Sequence, residues 1–156
     1  MKTTTSLLSA EREQLRAIWN DVYPTQLMHH KSETFDAYIN QLEEPEHTLM
    51  CANPQPNADS ESAIIGWICT FNRNNERWFV LIVDSSCARQ GCGTQLLLLA
   101  LEKYPKLCGW VVEHNDFKKH DGTSYLSPLA FYLKHGFNVT DIRLENEHTS
   151  AVKITT

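Results

Sequence analysis

Apolar residues recur along this chain with two periods, and each change of period marks an element. From Ser9 to Val22, Leu15, Ile18, Trp19 and Val22 fall on one stripe at helical spacing, the pattern of a helix packed on one face. Ser9 is its expected cap, Glu11 and Glu13 suit the positive end of the helix dipole, and Pro24 stops it. Ser32 to Leu42 repeats the pattern with Phe35, Tyr38, Ile39 and Leu42, and Glu43-Glu44-Pro45-Glu46 breaks it. The period then shortens. His47 to Ala52 reads as a short strand, Asn53 to Ser62 as a polar loop, and Ala63 to Phe71 and Arg77 to Val83 as two strong strands. The link Asn72-Arg73-Asn74-Asn75-Glu76 has turn chemistry, so these two strands form a hairpin.

Beyond Val83 the order changes again. Asp84 to Gly93 is a loop with two glycines, and Thr94 to Tyr104 is a helix turning Leu97, Ala100, Leu101 and Tyr104 inward. Leu107 to His114 is a buried strand. Strand, helix and strand in this order imply a parallel pair with a right-handed crossover. After the polar connection Asn115 to Leu126, Ser127-Pro128 opens a short helix that Gly136 ends, and Phe137 packs back. Phe137 to Leu144 and Ala151 to Thr156 close the chain as strands. The expected fold is α/β: a mixed, mostly antiparallel sheet with one parallel β-α-β crossover, flanked by about four helices.

Composition narrows the function. With 156 residues and 42% hydrophobic content, one domain over 1–156 is expected. A net charge of −5 without a basic cluster disfavours nucleic acid as a partner. No apolar run approaches a membrane span, and no long apolar segment opens the chain as a signal peptide would. The five cysteines are odd in number and form no Cys-x-x-Cys pair, so reduced thiols and a cytoplasmic location are expected. The histidines lack zinc-site spacing, and no metal is expected.

The loop Asp84-Ser85-Ser86-Cys87-Ala88-Arg89-Gln90-Gly91-Cys92-Gly93 joins a buried strand to a helix. Glycines there let the backbone approach a ligand, and the unpaired N–H groups of a helix start attract phosphate. No lysine follows Gly93 as a P-loop requires, and Leu96 stands where a dinucleotide fingerprint needs a third small residue. A tight turn with no ligand stays open on this loop alone. The second candidate is Ala130-Phe131-Tyr132-Leu133-Lys134-His135-Gly136-Phe137, where a short capped helix can aim the Tyr132 hydroxyl into a cleft or simply bury the ring.

Together, in this order and separation, Arg89-Gln90-Gly91-Cys92-Gly93, the leucine-rich helix after it and the Tyr132 segment resemble the GNAT superfamily of N-acetyltransferases over roughly residues 60–140. Gly91 and Gly93 match the family's glycines; Ala88 stands where arginine or glutamine is usual, with Arg89 one place later. Ser85 replaces a common proline, and Ser127 a frequent asparagine. The resemblance implies acetyl-CoA as co-substrate, with no metal. Its diphosphate would lie on Arg89, Gln90, Gly91, Cys92, Gly93 and Thr94, and its pantetheine arm along Ile82 and Val83. Ser127, Phe131 and Tyr132 would also contact the cofactor, with the thioester next to the Tyr132 phenol. It also implies a small-molecule or peptide amine as acceptor, a pocket built from residues 20–45 and 115–126, and a homodimer by family habit.

By the same resemblance Tyr132 is the general acid, since a phenol with a pKa of about 10 is protonated at neutral pH. Candidates for the base are Glu113, His114, Glu76 and a water chain; Glu113 and His114, as strand neighbours, face opposite sides. Cys92, at a helix start that lowers thiol pKa, offers a covalent route instead. The competing reading from another class is a non-catalytic acyl-CoA-binding module with the same loop.

Overall fold

A computed structural model describes residues 1–52 and 62–156. The polar loop expected from Asn53 to Ser62 falls almost wholly outside those residues. The elements are β1 (Lys2–Thr4), α1 (Ser9–Val22), α2 (Ser32–Asn40), β2 (Glu43–Cys51), β3 (Ile64–Arg73), β4 (Glu76–Val83), α3 (Cys92–Lys103), β5 (Cys108–Val111), α4 (Leu129–Lys134), β6 (Asn138–Glu145) and β7 (Ser150–Thr155). They build one seven-stranded sheet in the order β1-β2-β3-β4-β5-β7-β6. Only β4 and β5 run parallel; the other neighbours are antiparallel. The expected fold class is the one observed.

The sheet has a core on each face. Leu15, Ile18 and Trp19 of α1 and Phe35 and Ile39 of α2 pack with Trp67, Trp78, Val80 and Ile82. On the opposite face, Leu96, Leu97 and Ala100 of α3 and Tyr132 of α4 pack with Ile68, Phe79 and Phe137. The period-2 alternation of β4 thus feeds both cores. Gly66 lets α3 sit close: a side chain there would come within 2.9 Å of Leu96 Cδ1.

Several boundaries depart from the expected ones. The helix expected from Thr94 starts at Cys92, with Gly91 as its N-cap at φ +86. At α1, Leu8 rather than Ser9 is the N-cap, because the Glu11 carboxylate accepts the Leu8 N–H at 2.8 Å. β2 begins at Glu43, four residues before the expected His47; the acidic stretch is a bulge, with Glu44 at φ +46, rather than a break. The three residues of β1 are too few to carry a readable alternation. The 72–76 link is a hairpin turn, with Asn74 and Asn75 both at positive φ. Gly136, at φ +86, ends α4; the Phe137 N–H donates to the Tyr132 carbonyl at 3.2 Å, and Phe137 is buried.

Candidate active site

The C-terminal end of β4 leads into a loop whose first backbone donors are engaged and whose last are idle. The Asp84 carboxylate accepts the Ser86 N–H at 2.8 Å and shapes a single turn over Ser85–Cys87. Arg89, at φ +62, and Gly91, at φ +86, then turn the chain into α3. Among the described residues, none of the backbone N–H groups from Arg89 to Thr94 donates a hydrogen bond. Six consecutive free donors lie at the positive end of a twelve-residue helix, an arrangement that attracts anions such as phosphate. Gly93 also leaves room for α4. A Cβ built there would lie 3.6 Å from both Phe131 Cζ and Val83 Cγ2.

Beside this loop the sheet opens. β4 and β5 share one register pair, Trp78 with Cys108. Beyond it a cavity of about 380 Å³ lies between Phe79–Val83 and Trp110–Val112, a size that suits a small ligand. Both faces of β4 contribute, so the cavity passes through the gap from the α3–α4 side to the α1–α2 side. Tyr23 and Tyr38 line it from the N-terminal helices, and Tyr125 and Leu126 from the connection before α4. That connection is tied to the segment after α1: the Thr25 N–H and hydroxyl both donate to the Lys118 carbonyl, at 2.9 and 2.8 Å.

Tyr132 stands in the same wall. Its ring centre lies 5.5 Å from that of Phe79, 5.1 Å from Phe131 and 5.6 Å from Phe137, all edge-to-face. Phe79 in turn lies over Gly109, where a Cβ would come within 2.9 Å of the ring. This stack fixes the Tyr132 ring through β4, β5 and α4 together. Burial, and then the neighbouring Tyr125, raise the Tyr132 pKa above the usual phenol value. Burial pushes Tyr125 up to about 12. Both hydroxyls therefore keep their protons at neutral pH.

Ile82 and Val83 line the cavity. The Ser127 hydroxyl donates to the Val112 carbonyl at 2.5 Å and accepts from the Leu129 N–H at 3.2 Å, fastening α4 to the end of β5. The Gln90 side chain donates to the Ser86 carbonyl at 3.1 Å, and Arg89 is exposed. Cys92 and Thr94 are half-buried at the helix start. Glu113 is ion-paired with Arg143 of β6. His114 packs on Phe117, with ring centres 4.6 Å apart, and its Nδ1 accepts the Asp116 N–H at 3.2 Å. Glu76 is bound by Lys153 at 2.7 Å, which lowers its carboxyl pKa. Among the described residues, no Asp, Glu or His lines the cavity.

A family profile described as an acetyltransferase (GNAT) domain matches residues 57–139. The chain belongs to the GNAT acetyltransferase family. Solved GNAT structures share its fold across the chain. A structure of aminoglycoside 6'-N-acetyltransferase complexed with coenzyme A superposes with a TM-score of 0.65 at 13% identity, covering 100% of this chain and 96% of that one. The ribosomal-protein-S18-alanine N-acetyltransferase from Escherichia coli gives 0.62 at 17% identity, covering 99% and 92%. A phosphinothricin acetyltransferase from Sinorhizobium meliloti in complex with AcCoA gives 0.64 at 9% identity, covering 99% and 86%. No curated protein matches the chain. Among the described residues, no helix is long and apolar enough to cross a membrane, and no group of three His, Cys, Asp or Glu side chains could hold a metal ion.

Tyr23, Tyr38 and Tyr125, within the segments 20–45 and 115–126 expected to build the acceptor pocket, line the cavity of this GNAT domain, as do Arg73, Trp78 and Trp110, which carried no functional signal in the sequence. On strands, Trp78 and Trp110 read as core.

Proposed function

We propose that this GNAT domain is an N-acetyltransferase that moves an acetyl group from acetyl-CoA to a primary amine by direct attack. The observation that carries the reading is the row of six free N–H groups from Arg89 to Thr94 beside a cavity that reaches Tyr132. Residues Arg89 to Thr94 would hold the diphosphate, Ile82 and Val83 the pantetheine arm, and Phe131 the thioester end. Acetyl-CoA, when bound, supplies the acyl group activated as a thioester. The acceptor enters from the α1–α2 side, through the gap between β4 and β5.

Tyr132 is the general acid in this reading. Its protonated hydroxyl donates toward the charge that develops on the leaving sulfur. No base is drawn from Glu113, which Arg143 occupies, nor from His114, which does not line the cavity. The aromatic lining supplies an alternative: desolvation disfavours an ammonium ion, so the amine sheds its proton to water at the cavity mouth.

The test is thiol release from acetyl-CoA with a panel of primary amines. Amine-dependent release that requires Tyr132 supports the enzyme. CoA binding without turnover on any amine supports instead a binding module that uses the same loop, and overturns catalysis.

A further inference from the structure

The cavity wall away from the phosphate loop carries one fixed charge. Arg73, the last residue of β3, lines the cavity beside Trp78. Its guanidinium carbon lies 5.2 Å from the ring centre of Phe71 and 5.3 Å from that of Trp78. Among the described residues, that guanidinium makes no ion pair and no hydrogen bond. Glu76, its register partner in the β3–β4 hairpin, gives its carboxylate to Lys153, at 2.8 and 2.7 Å. Of the nearby acids, Glu44 accepts from Asn72 at 2.6 Å and Glu46 is paired with Lys103; Glu43 shares a separate surface groove with Arg73 but makes no ion pair with it.

A half-buried guanidinium without an anion pays a desolvation cost that a ligand can offset. Cation–π contact with two rings holds the guanidinium in place while its N–H donors stay unused, and a guanidinium with free donors can grip a carboxylate bidentately. The rest of this wall is apolar or phenolic, with Tyr38, Trp78 and Trp110; the Trp78 and Trp110 rings are 5.3 Å apart. From this arrangement we infer that the acceptor is an amine that also bears a carboxylate on an apolar or aromatic body, with the carboxylate held by Arg73. A polycationic acceptor would bring its further ammonium groups to a wall with a guanidinium and no carboxylate, which disfavours it. This inference rests on the N-acetyltransferase reading and names its substrate class.

The test compares matched amines on the CoA-bound protein and in thiol release. Phenylalanine is set against 2-phenylethylamine, leucine against 3-methylbutylamine, and 5-aminopentanoate against pentylamine, with spermidine as the polycation. Binding is read by quenching of the cavity tryptophans. The expected result is preference for at least one carboxylated member by about 10- to 100-fold in kcat/KM, the worth of a charge-assisted pair. Arg73→Gln removes that preference through KM, Arg73→Lys keeps part of it, and both variants bind CoA as the unmodified protein does. Equal or better use of the carboxyl-free amines or spermidine overturns the inference while leaving the acetyltransferase reading intact. So does a preference that survives Arg73→Gln, or CoA binding with no response to any carboxylated amine. Failure to bind CoA removes the underlying reading itself.

Discussion

Phe131 of α4 lies against Gly93 of α3, with its Cζ 3.6 Å from where a Cβ at position 93 would stand. The two segments that carry the family resemblance are therefore in contact, and the ring that packs on the start of α3 is the neighbour of Tyr132. The two loop glycines do different work. Gly91 holds a positive φ with nothing near its missing Cβ, whereas Gly93 faces Phe131 and Val83 at ordinary contact distance. Gly91→Ala should cost about 1–2 kcal/mol, the penalty of a left-handed backbone for an L-residue, and should weaken CoA binding. Gly93→Ala should leave thermal stability equal or higher, because alanine suits a helix better than glycine, and should bind CoA within a few-fold. Thermal melts with and without CoA check both.

Removing the Tyr132 hydroxyl should separate binding from chemistry. The ring is held edge-to-face by Phe79, Phe131 and Phe137, so Tyr132→Phe should fold and bind CoA unchanged. Its kcat should fall on the order of 100-fold, the usual worth of a positioned acid. Steady-state thiol-release kinetics measure this.

The absence of acids and imidazoles from the cavity lining among the described residues sets the pH dependence. Glu113→Gln and His114→Ala should each keep kcat/KM within a few-fold. The pH profile of kcat/KM should climb through neutrality toward the amine's own pKa, with no plateau set by a protein base near pH 6–7. A profile that flattens near 6.5 and shifts in His114→Ala would restore that residue as the base.

His47 gives a stability prediction. It is buried, its Nδ1 accepts the Trp67 indole N–H at 3.2 Å, and burial, then Arg12, lower its pKa to about 4. An unfolded histidine titrates near 6.5. Between these values the unfolded chain binds the extra proton, so stability is full above about pH 6.5 and falls as pH drops toward 4. The slope from this group is at most about 1.4 kcal/mol per pH unit. His47→Gln, which keeps an acceptor for Trp67, should flatten that window in chemical denaturation measured from pH 4 to 7.

Much of the fold was legible because local signals agreed with tertiary ones. α1 has the expected bounds Ser9–Val22, the Asn74-Asn75 turn closes the expected hairpin, and Gly136 ends α4. The start of α3 was harder to read: Gly93 lowers helix propensity in its first turn, while Gly91 caps it from outside. The segments 20–45 and 115–126 were expected at the pocket and do line it, but its strand walls were not legible, because they depend on β4 and β5 diverging after one register pair, a property of how strands meet. For the same reason, Glu113 looked available as a base: its partner Arg143 is 30 residues away on β6, brought near only by the β5-β7-β6 order.

The most direct measurement is an amide-resolved NMR titration of the ¹⁵N-labelled protein with CoA. Saturable binding is expected, with the largest shifts at the backbone amides of residues 89–94 and smaller ones at the backbone amides around Tyr132. Saturable CoA binding that leaves those six amides unmoved, or no binding at all, would contradict that expectation.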